Sequence, residues 1–202
     1  YIYFTKARWI DQDYNIMVVL EKDALSRLVG EVTKKMHVPL AVGRGYSSRT
    51  QILEIIDKIS EYDDGEHDNL ILYLGDFDPT GLDIERSLEE RLNRESGGTA
   101  IDITRIALTY PQARKLPPNP TKSADPRAKW YVEQYGDECW ELDALPPQEL
   151  KDIVENKIWE LIDKQIWEKA EAEEENGQEE LRIRLAKSIK ILKKEFGIGG
   201  DA

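Results

Sequence analysis

Residues 16–20, Ile-Met-Val-Val-Leu, form an unbroken apolar run rich in β-branched side chains, and behind them Leu25, Leu28, Val29 and Val32 recur at three- and four-residue spacing. The first pattern predicts a buried strand, the second an amphipathic helix. The pair then repeats. The apolar run 38–42 leads into Gly-Arg-Gly, after which Ser47 or Ser48 can cap a helix whose buried face is Ile52, Leu53, Ile55, Ile56 and Ile59. A polar turn over 63–68 precedes the strongest strand signal of the chain, residues 70–74, and an amphipathic helix follows over 81–92. A fourth strand is expected at 101–108. Strands that do not alternate, separated by amphipathic helices, predict an α/β fold: a mostly parallel sheet with helices on both faces. Such sheets bind ligands beyond the carboxyl ends of their strands.

From 111 to 126 the pattern changes, because five of the chain's nine prolines fall there with basic residues among them. An extended surface loop is expected. Residues 139–142 read as a returning edge strand. From Pro146 onward the periodicity is helical, interrupted by the acidic stretch 171–180, and the last helix carries Leu185, Ile189, Leu192 and Phe196 along one side. That side is expected to pack within the chain rather than on a partner. The resulting division is a linker or remnant of an upstream domain over 1–15, an α/β core over 16–145 and a helical C-terminal extension over 146–202.

Composition fits this picture: 202 residues, 40% hydrophobic and 34% charged, suit one domain plus a smaller appendage. No run approaches the roughly 18 apolar residues needed to cross a bilayer, and no charged-then-apolar leader is present. Cys139, the single cysteine, permits no internal disulfide and no cysteine-based metal site. A soluble protein of a reducing cytoplasm is expected. The chain opens Tyr-Ile-Tyr without methionine, which reads as a fragment, a processed form or the ordered part of a longer protein. Its 28 basic against 40 acidic residues give a net charge of -12, which taken alone argues against coating nucleic acid by bulk electrostatics. The basic residues nevertheless segregate. Residues 34–49 hold Lys34, Lys35, Arg44 and Arg49 with no carboxylate, and 105–129 hold six basic residues against Asp125. Two solvated loops are the plainer reading of these segments.

The acidic residues that follow the strands carry the chemistry. Glu21 follows the first strand, and Asp76 and Asp78 follow the third in Leu-Gly-Asp-Phe-Asp-Pro-Thr-Gly. Like charges gathered at the ligand edge raise one another's pKa, so such a group is stabilised by a cation. Oxygen-only ligands select Mg²⁺ or Mn²⁺, and magnesium is usually held by one or two carboxylates plus phosphate oxygens of a substrate. A phosphate ester is the expected substrate. Gly43 and Gly45 let a backbone approach a phosphate, and Arg44 can bind one bidentately. The competing reading is structural: Asp78-Pro79 makes a capped turn, and Glu21 complements a helix start.

Together, Glu21-Lys22-Asp23-Ala24-Leu25, Gly43-Arg44-Gly45-Tyr46 and Asp76-Phe77-Asp78-Pro79-Thr80-Gly81 resemble the Toprim domain, in the version found in the A subunit of topoisomerase VI and its meiotic double-strand-break relatives. The motifs span residues 16–92. Residues 117–129 and Trp140-Glu-Leu-Asp-Ala-Leu-Pro-Pro147 are similar to short Toprim proteins encoded in phage and bacterial genomes. The resemblance implies that Asp76 and Asp78 hold Mg²⁺ and that Glu21 joins them or shuttles a proton while a DNA phosphodiester is cleaved, with or without rejoining. It implies a nucleophilic tyrosine on a winged-helix domain placed before the Toprim domain, and residues 1–15 are too short to be one. The tyrosine then lies on an upstream segment or a partner subunit, or metal-activated water does the cutting. Many Toprim proteins carry a third carboxylate where Thr80 stands here, which leaves Asp83, Glu141 or Asp143 to serve a second metal. A homodimer is implied because cutting two strands needs two sites, and a nucleoid-associated or phage-encoded protein fits the same family.

Lys22, Arg44, Arg49, Lys122, Arg127 and Lys129 are the candidate contacts to a DNA backbone. Trp130, Tyr131 and Tyr135 offer stacking surfaces but read more simply as packing. Two other readings stay open. Asp76-Phe-Asp-Pro-Thr80 also fits Asp-x-Asp-x-Thr of haloacid-dehalogenase-type phosphatases, with Asp76 as nucleophile, although that motif normally follows the first strand and leaves Glu21 unexplained. A non-catalytic DNA-binding or assembly subunit would keep the fold without the reaction.

Overall fold

The computed structural model describes residues 4–43, 48–60, 67–121 and 128–196. Contacts divide the chain into two units, one of residues 13–162 and one of residues 1–12 with 163–202. In the larger unit β1 (Tyr14–Leu20), α1 (Ser26–Lys35), β2 (Leu40–Val42), α2 (Arg49–Ser60), β3 (Asp68–Leu74), α3 (Pro79–Glu95) and β4 (Ile101–Ala107) follow one another. The strands form one parallel sheet in the order β2-β1-β3-β4. Val18 lies opposite Leu40, Ile16 opposite Leu70 and Ile71 opposite Ile103. The predicted α/β alternation is therefore present, with its acidic residues after the two central strands.

Met17 to Leu20 on β1 and Ile71 to Leu74 on β3 expose none of their surface, which is why neither strand shows polar alternation. Met17, Val19, Ile71 and Tyr73 pack with Ile52, Ile55 and Ile59 of α2 and with Leu88 and Leu92 of α3. Each such aliphatic side chain contributes roughly 1.5–3 kcal/mol on burial. Ile16, Val18, Leu20, Leu72 and Leu74 alternate with them and turn to the opposite face. There α6 (Pro147–Glu160), with buried Leu150, Val154 and Ile158, contacts both α1 and β4. Lys35 to Glu155 at 2.6 Å and Lys151 to Glu31 at 2.5 Å tie the two helices at their rims.

Between β4 and α6 run α4 (Tyr110–Ala113), β5 (Asn119–Pro120), α5 (Ala128–Tyr135) and β6 (Glu138–Cys139). The edge strand expected at 139–142 does not join the sheet. Residues 138–139 pair with β5 in a two-residue antiparallel ribbon, and Trp140 forms a single antiparallel bridge with Phe77. Prolines at 118 and 120 lack the N–H that a longer ladder needs. The boundary expected at 145/146 also differs from the observed one at 162/163, because α6 packs on the sheet unit.

In the smaller unit, α7 (Lys164–Glu195) is one helix of 32 residues. It passes without a break through 171–180, where an interruption was expected. Asp163 caps it, accepting from the N–H groups of Gln165 and Ile166 at 2.8 and 3.2 Å. The acidic stretch stays helical because Glu and Ala are strong helix formers and because Lys6 and Arg8 neutralise Glu173, Glu171 and Glu174. Trp9 meets Trp167 edge-on at 6.1 Å, and Arg8 lies 5.0 Å over the same ring. Gly177 in mid-helix leaves room for the Phe4 ring, which would have to shift to admit a side chain there. The apolar side expected to pack within the chain does not: residues 186–196 are all exposed, Ile189, Leu192 and Phe196 included. Periodicity reports an apolar face but not what covers it. Among the described residues no helix is long and apolar enough to cross a membrane.

Candidate functional site

The carboxyl edge of β1 and β3 is built by the ladder itself. Glu21 extends β1 by one step, its N–H donating to the Leu74 carbonyl at 2.9 Å, and Gly75 extends β3, donating to the Ala107 carbonyl at 2.8 Å. The Tyr73 hydroxyl donates to Glu21 Oε2 at 3.3 Å. A Cβ on residue 75 would stand 2.6 Å from that same oxygen, so glycine there makes the space into which Glu21 folds.

Asp76, Phe77 and Asp78 follow as an extended segment fixed through its middle residue. Phe77 donates to the Trp140 carbonyl at 2.9 Å and accepts from the Trp140 N–H at 3.0 Å. Its ring stacks on Tyr110 at 5.5 Å and meets Tyr135 edge-on at 4.9 Å. The wholly buried Tyr131 points its hydroxyl at the carbonyls of Phe77 and Glu138, 3.0 Å from each. Extended backbone sends neighbouring side chains to opposite sides, so anchoring Phe77 in this aromatic cluster turns both aspartates the other way. Asp78 Oδ1 accepts from the Gly81 N–H at 2.6 Å as the N-cap of α3, with Pro79 in the first turn. Asp76 Oδ1 accepts from the Leu142 N–H at 2.7 Å.

Lys22 stands in the midst of the acidic residues. Its Nζ is 3.0 Å from Asp143 Oδ2, 3.1 Å from Glu141 Oε2 and 3.4 Å from Asp76 Oδ1. Burial alone would lower its pKa, but the bonds to Asp143 and Glu141 and the charge of Asp76 raise it above the ordinary lysine value. Glu21 is shifted upward as well, first by burial and then by the charges of Asp76 and Asp78. The Tyr73 phenol is pushed up by burial and by Glu21. Glu21 therefore senses both aspartates, and a cation at this edge would relieve the repulsion.

Arg105 holds the framework, and sequence reasoning counted it only among the basic residues of 105–129. Its Nη1 donates to the carbonyls of Gly75, Asp76 and Leu108 at 3.0, 3.1 and 3.2 Å, and its Nη2 to that of Gly81 at 3.2 Å. Its Nε pairs with Glu85 at 2.7 Å, and the guanidinium lies 5.1 Å from the centre of the Tyr73 ring. The register of β4 against β3 shifts here, Tyr73 lying opposite Arg105 and Leu74 opposite Ala107, and Gln112 Nε2 donates to the Ile106 carbonyl at 3.0 Å. Bulges of this kind re-aim side chains beside functional sites. A signal was present in the sequence: an arginine inside an apolar strand needs several partners close by.

Glu21, Asp76 and Asp78 thus meet at one edge, and Lys22, Glu141 and Asp143 join them. Asp83 lies along α3 and pairs with Arg86 at 2.7 Å. Arg49 opens α2 and pairs with Glu95 at 2.9 Å, and Lys129 is exposed on α5. Arg44, Lys122 and Arg127 lie outside the described residues. Trp130 is 54% exposed, whereas Tyr131 is packed beneath Phe77. Among the described residues no three histidine, cysteine or carboxylate side chains are gathered closely enough to form a metal cage. Comparison with models of known protein families gives no match, and comparison with curated proteins and with solved structures gives none either.

Proposed function

We propose that this chain is a Toprim protein of the topoisomerase VI A-subunit type that cleaves DNA phosphodiesters with the help of Mg²⁺, for which Mn²⁺ can substitute. The observation that carries the reading is the convergence of Glu21 with Asp76 and Asp78 beyond the two central strands, close enough for the aspartate charges to raise the Glu21 pKa. The donor set is all oxygen, as Mg²⁺ prefers. No three-carboxylate cage is needed, because Mg²⁺ is commonly held by one or two carboxylates and the substrate phosphate. Asp76 Oδ2 and Asp78 Oδ2 accept no hydrogen bond among the described residues, so each aspartate keeps an oxygen for a cation while its Oδ1 fixes the chain.

When bound, the ion supplies charge neutralisation at the phosphodiester and lowers the pKa of a coordinated water. The chain's own groups do the rest. Asp76 and Asp78 would hold the ion, and Glu21, with its raised pKa, is fitted to keep or pass a proton at the scissile oxygen. Lys22 neutralises the surplus charge of Asp76, Glu141 and Asp143, and Arg105 fixes the carbonyls behind the aspartates. The nucleophile is a tyrosine outside this chain or metal-activated water.

A specific observation favours a second reading, a non-catalytic DNA-binding or assembly subunit. Asp78 caps a helix, Asp76 carries the Leu142 N–H, and Lys22 already neutralises the group, so each residue also has a structural use. The phosphatase reading leaves Glu21 without a role. Calorimetric Mn²⁺ and Mg²⁺ titration of the protein beside Asp76→Asn and Asp78→Asn, with and without duplex DNA, separates the first two. Saturable binding abolished by both substitutions, together with metal-dependent nicking of plasmid DNA, is the expected result. DNA binding that survives both substitutions and a chelator, with no metal binding under either condition, establishes the non-catalytic subunit instead.

A further inference from the structure

We propose that α7 pairs with the α7 of a second copy of this chain, antiparallel and about a two-fold axis near Leu181. The charge along the helix changes sign at that residue. Before it stand Glu168, Glu171, Glu173, Glu174, Glu175, Glu179 and Glu180 against Lys164 and Lys169, and after it Arg182, Arg184, Lys187, Lys190, Lys193 and Lys194 against Glu195. When two copies run in opposite directions, the mainly basic half of each helix lies along the mainly acidic half of the other, with Arg182, Lys187 and Lys194 opposite Glu180, Glu175 and Glu168. A parallel pair would set acid against acid and base against base.

The surface has the shape this requires. A groove of about 970 Å³ runs along α7 beside residues 4–8, with Glu171, Glu175 and Glu179 towards one end and Leu181, Leu185 and Ile189 towards the other. The helix continues to Glu195 with every residue from 186 exposed, its apolar positions included: Ile189, Leu192 and Phe196 are 52, 51 and 69% exposed. Leu185, Ile189, Leu192 and Phe196 keep the 4, 3, 4 spacing of a helix-pairing seam. Laid antiparallel, the basic, apolar end of one α7 enters the acidic end of its partner's groove: Leu181 meets its own counterpart at the axis, and Leu185 comes opposite Gly177, beside the Phe4 ring that lines the groove. Residues 171–195 span about 37 Å at 1.5 Å per residue, long enough for a continuous seam. Such an isologous contact uses one patch twice and closes as a dimer. With the axis at Leu181, Glu175 faces Lys187 and Glu179 faces the neighbourhood of Arg182 of the other copy.

Sedimentation of the full chain tests this in low and high salt. A dimer is expected that weakens as salt rises. Ile189→Asp with Leu192→Asp, both at exposed positions that folding does not depend on, is expected to raise the dimer dissociation constant at least about tenfold, and circular dichroism confirms that the helix remains. Two charge reversals sharpen the test. Arg182→Glu/Lys187→Glu and Glu175→Lys/Glu179→Lys should each sediment as monomers, and a 1:1 mixture of the two should recover the dimer. A wild-type chain that stays monomeric at tens of micromolar, or a dimer indifferent to the apolar and the charge-reversal variants, overturns the proposal, as does a mixture that fails to recover association.

Discussion

Burial at the sheet edge and the charges of Asp76 and Asp78 all act against ionised Glu21, and this has a consequence for stability. Its folded pKa lies above the ordinary 4.5, so the folded chain binds a proton more readily than the unfolded one. Stability then falls as pH rises between the ordinary value and the raised one, and the full penalty is present above both. Glu21→Gln removes the penalty while leaving an acceptor for the Tyr73 hydroxyl. Without divalent metal, the variant should be more stable than the parent at pH 7.5 and should melt at a higher temperature. The gain should vanish near pH 4. Thermal unfolding in chelator across that range checks it, and a parent at least as stable as the variant at pH 7.5 removes the argument. Tyr73 and Gly75 belong to the same picture, since one donates to Glu21 and the other leaves room for it.

For α3, one aspartate combines two duties that substitution can separate. Asp78 caps the helix through Oδ1, and asparagine caps almost as well as aspartate, whereas alanine leaves the Gly81 N–H without its acceptor. Asp78→Asn should therefore unfold within a few tenths of a kcal/mol of the parent in urea, and Asp78→Ala about 1 kcal/mol earlier. If the residue also holds a cation, both variants lose Mn²⁺ binding. Equal loss of stability in the two would mean that capping is not what Asp78 contributes. Gly81 sits in the same turn because the Asp76 carbonyl oxygen occupies the place of any side chain at 81.

For the chain as a whole, the sheet, its two covering helix layers and the candidate site all fall within residues 13–162. A chain of those residues alone should fold cooperatively, and it should keep the slow amide exchange of β1 and β3, whose central residues expose no surface. Truncation at residue 145, where the sequence pattern first changes, should fail the same exchange test, because it strips Leu150, Val154 and Ile158 from the layer formed with α1. Protection in the 1–145 chain equal to that in 13–162 would show that α6 is dispensable.

Much of this architecture follows from local pattern. Three apolar runs and the helices between them were readable because burial of a parallel strand leaves an uninterrupted apolar signature, whereas the edge strand β4 carries Asp102, Thr104 and Arg105, and because acidic residues just after such runs must lie at the ligand edge. Glu21, Asp76 and Asp78 were found in that way. What no window of sequence contains is the set of contacts between residues far apart along the chain. Lys22 meets Glu141 and Asp143, Phe77 pairs with Trp140, and Arg105 reaches back to Gly75 and Asp76. The assignment of α6 to the sheet and of residues 1–12 to α7 is of the same kind. Periodicity records which side of an element avoids water, whereas the partner that excludes the water is chosen when the chain closes on itself.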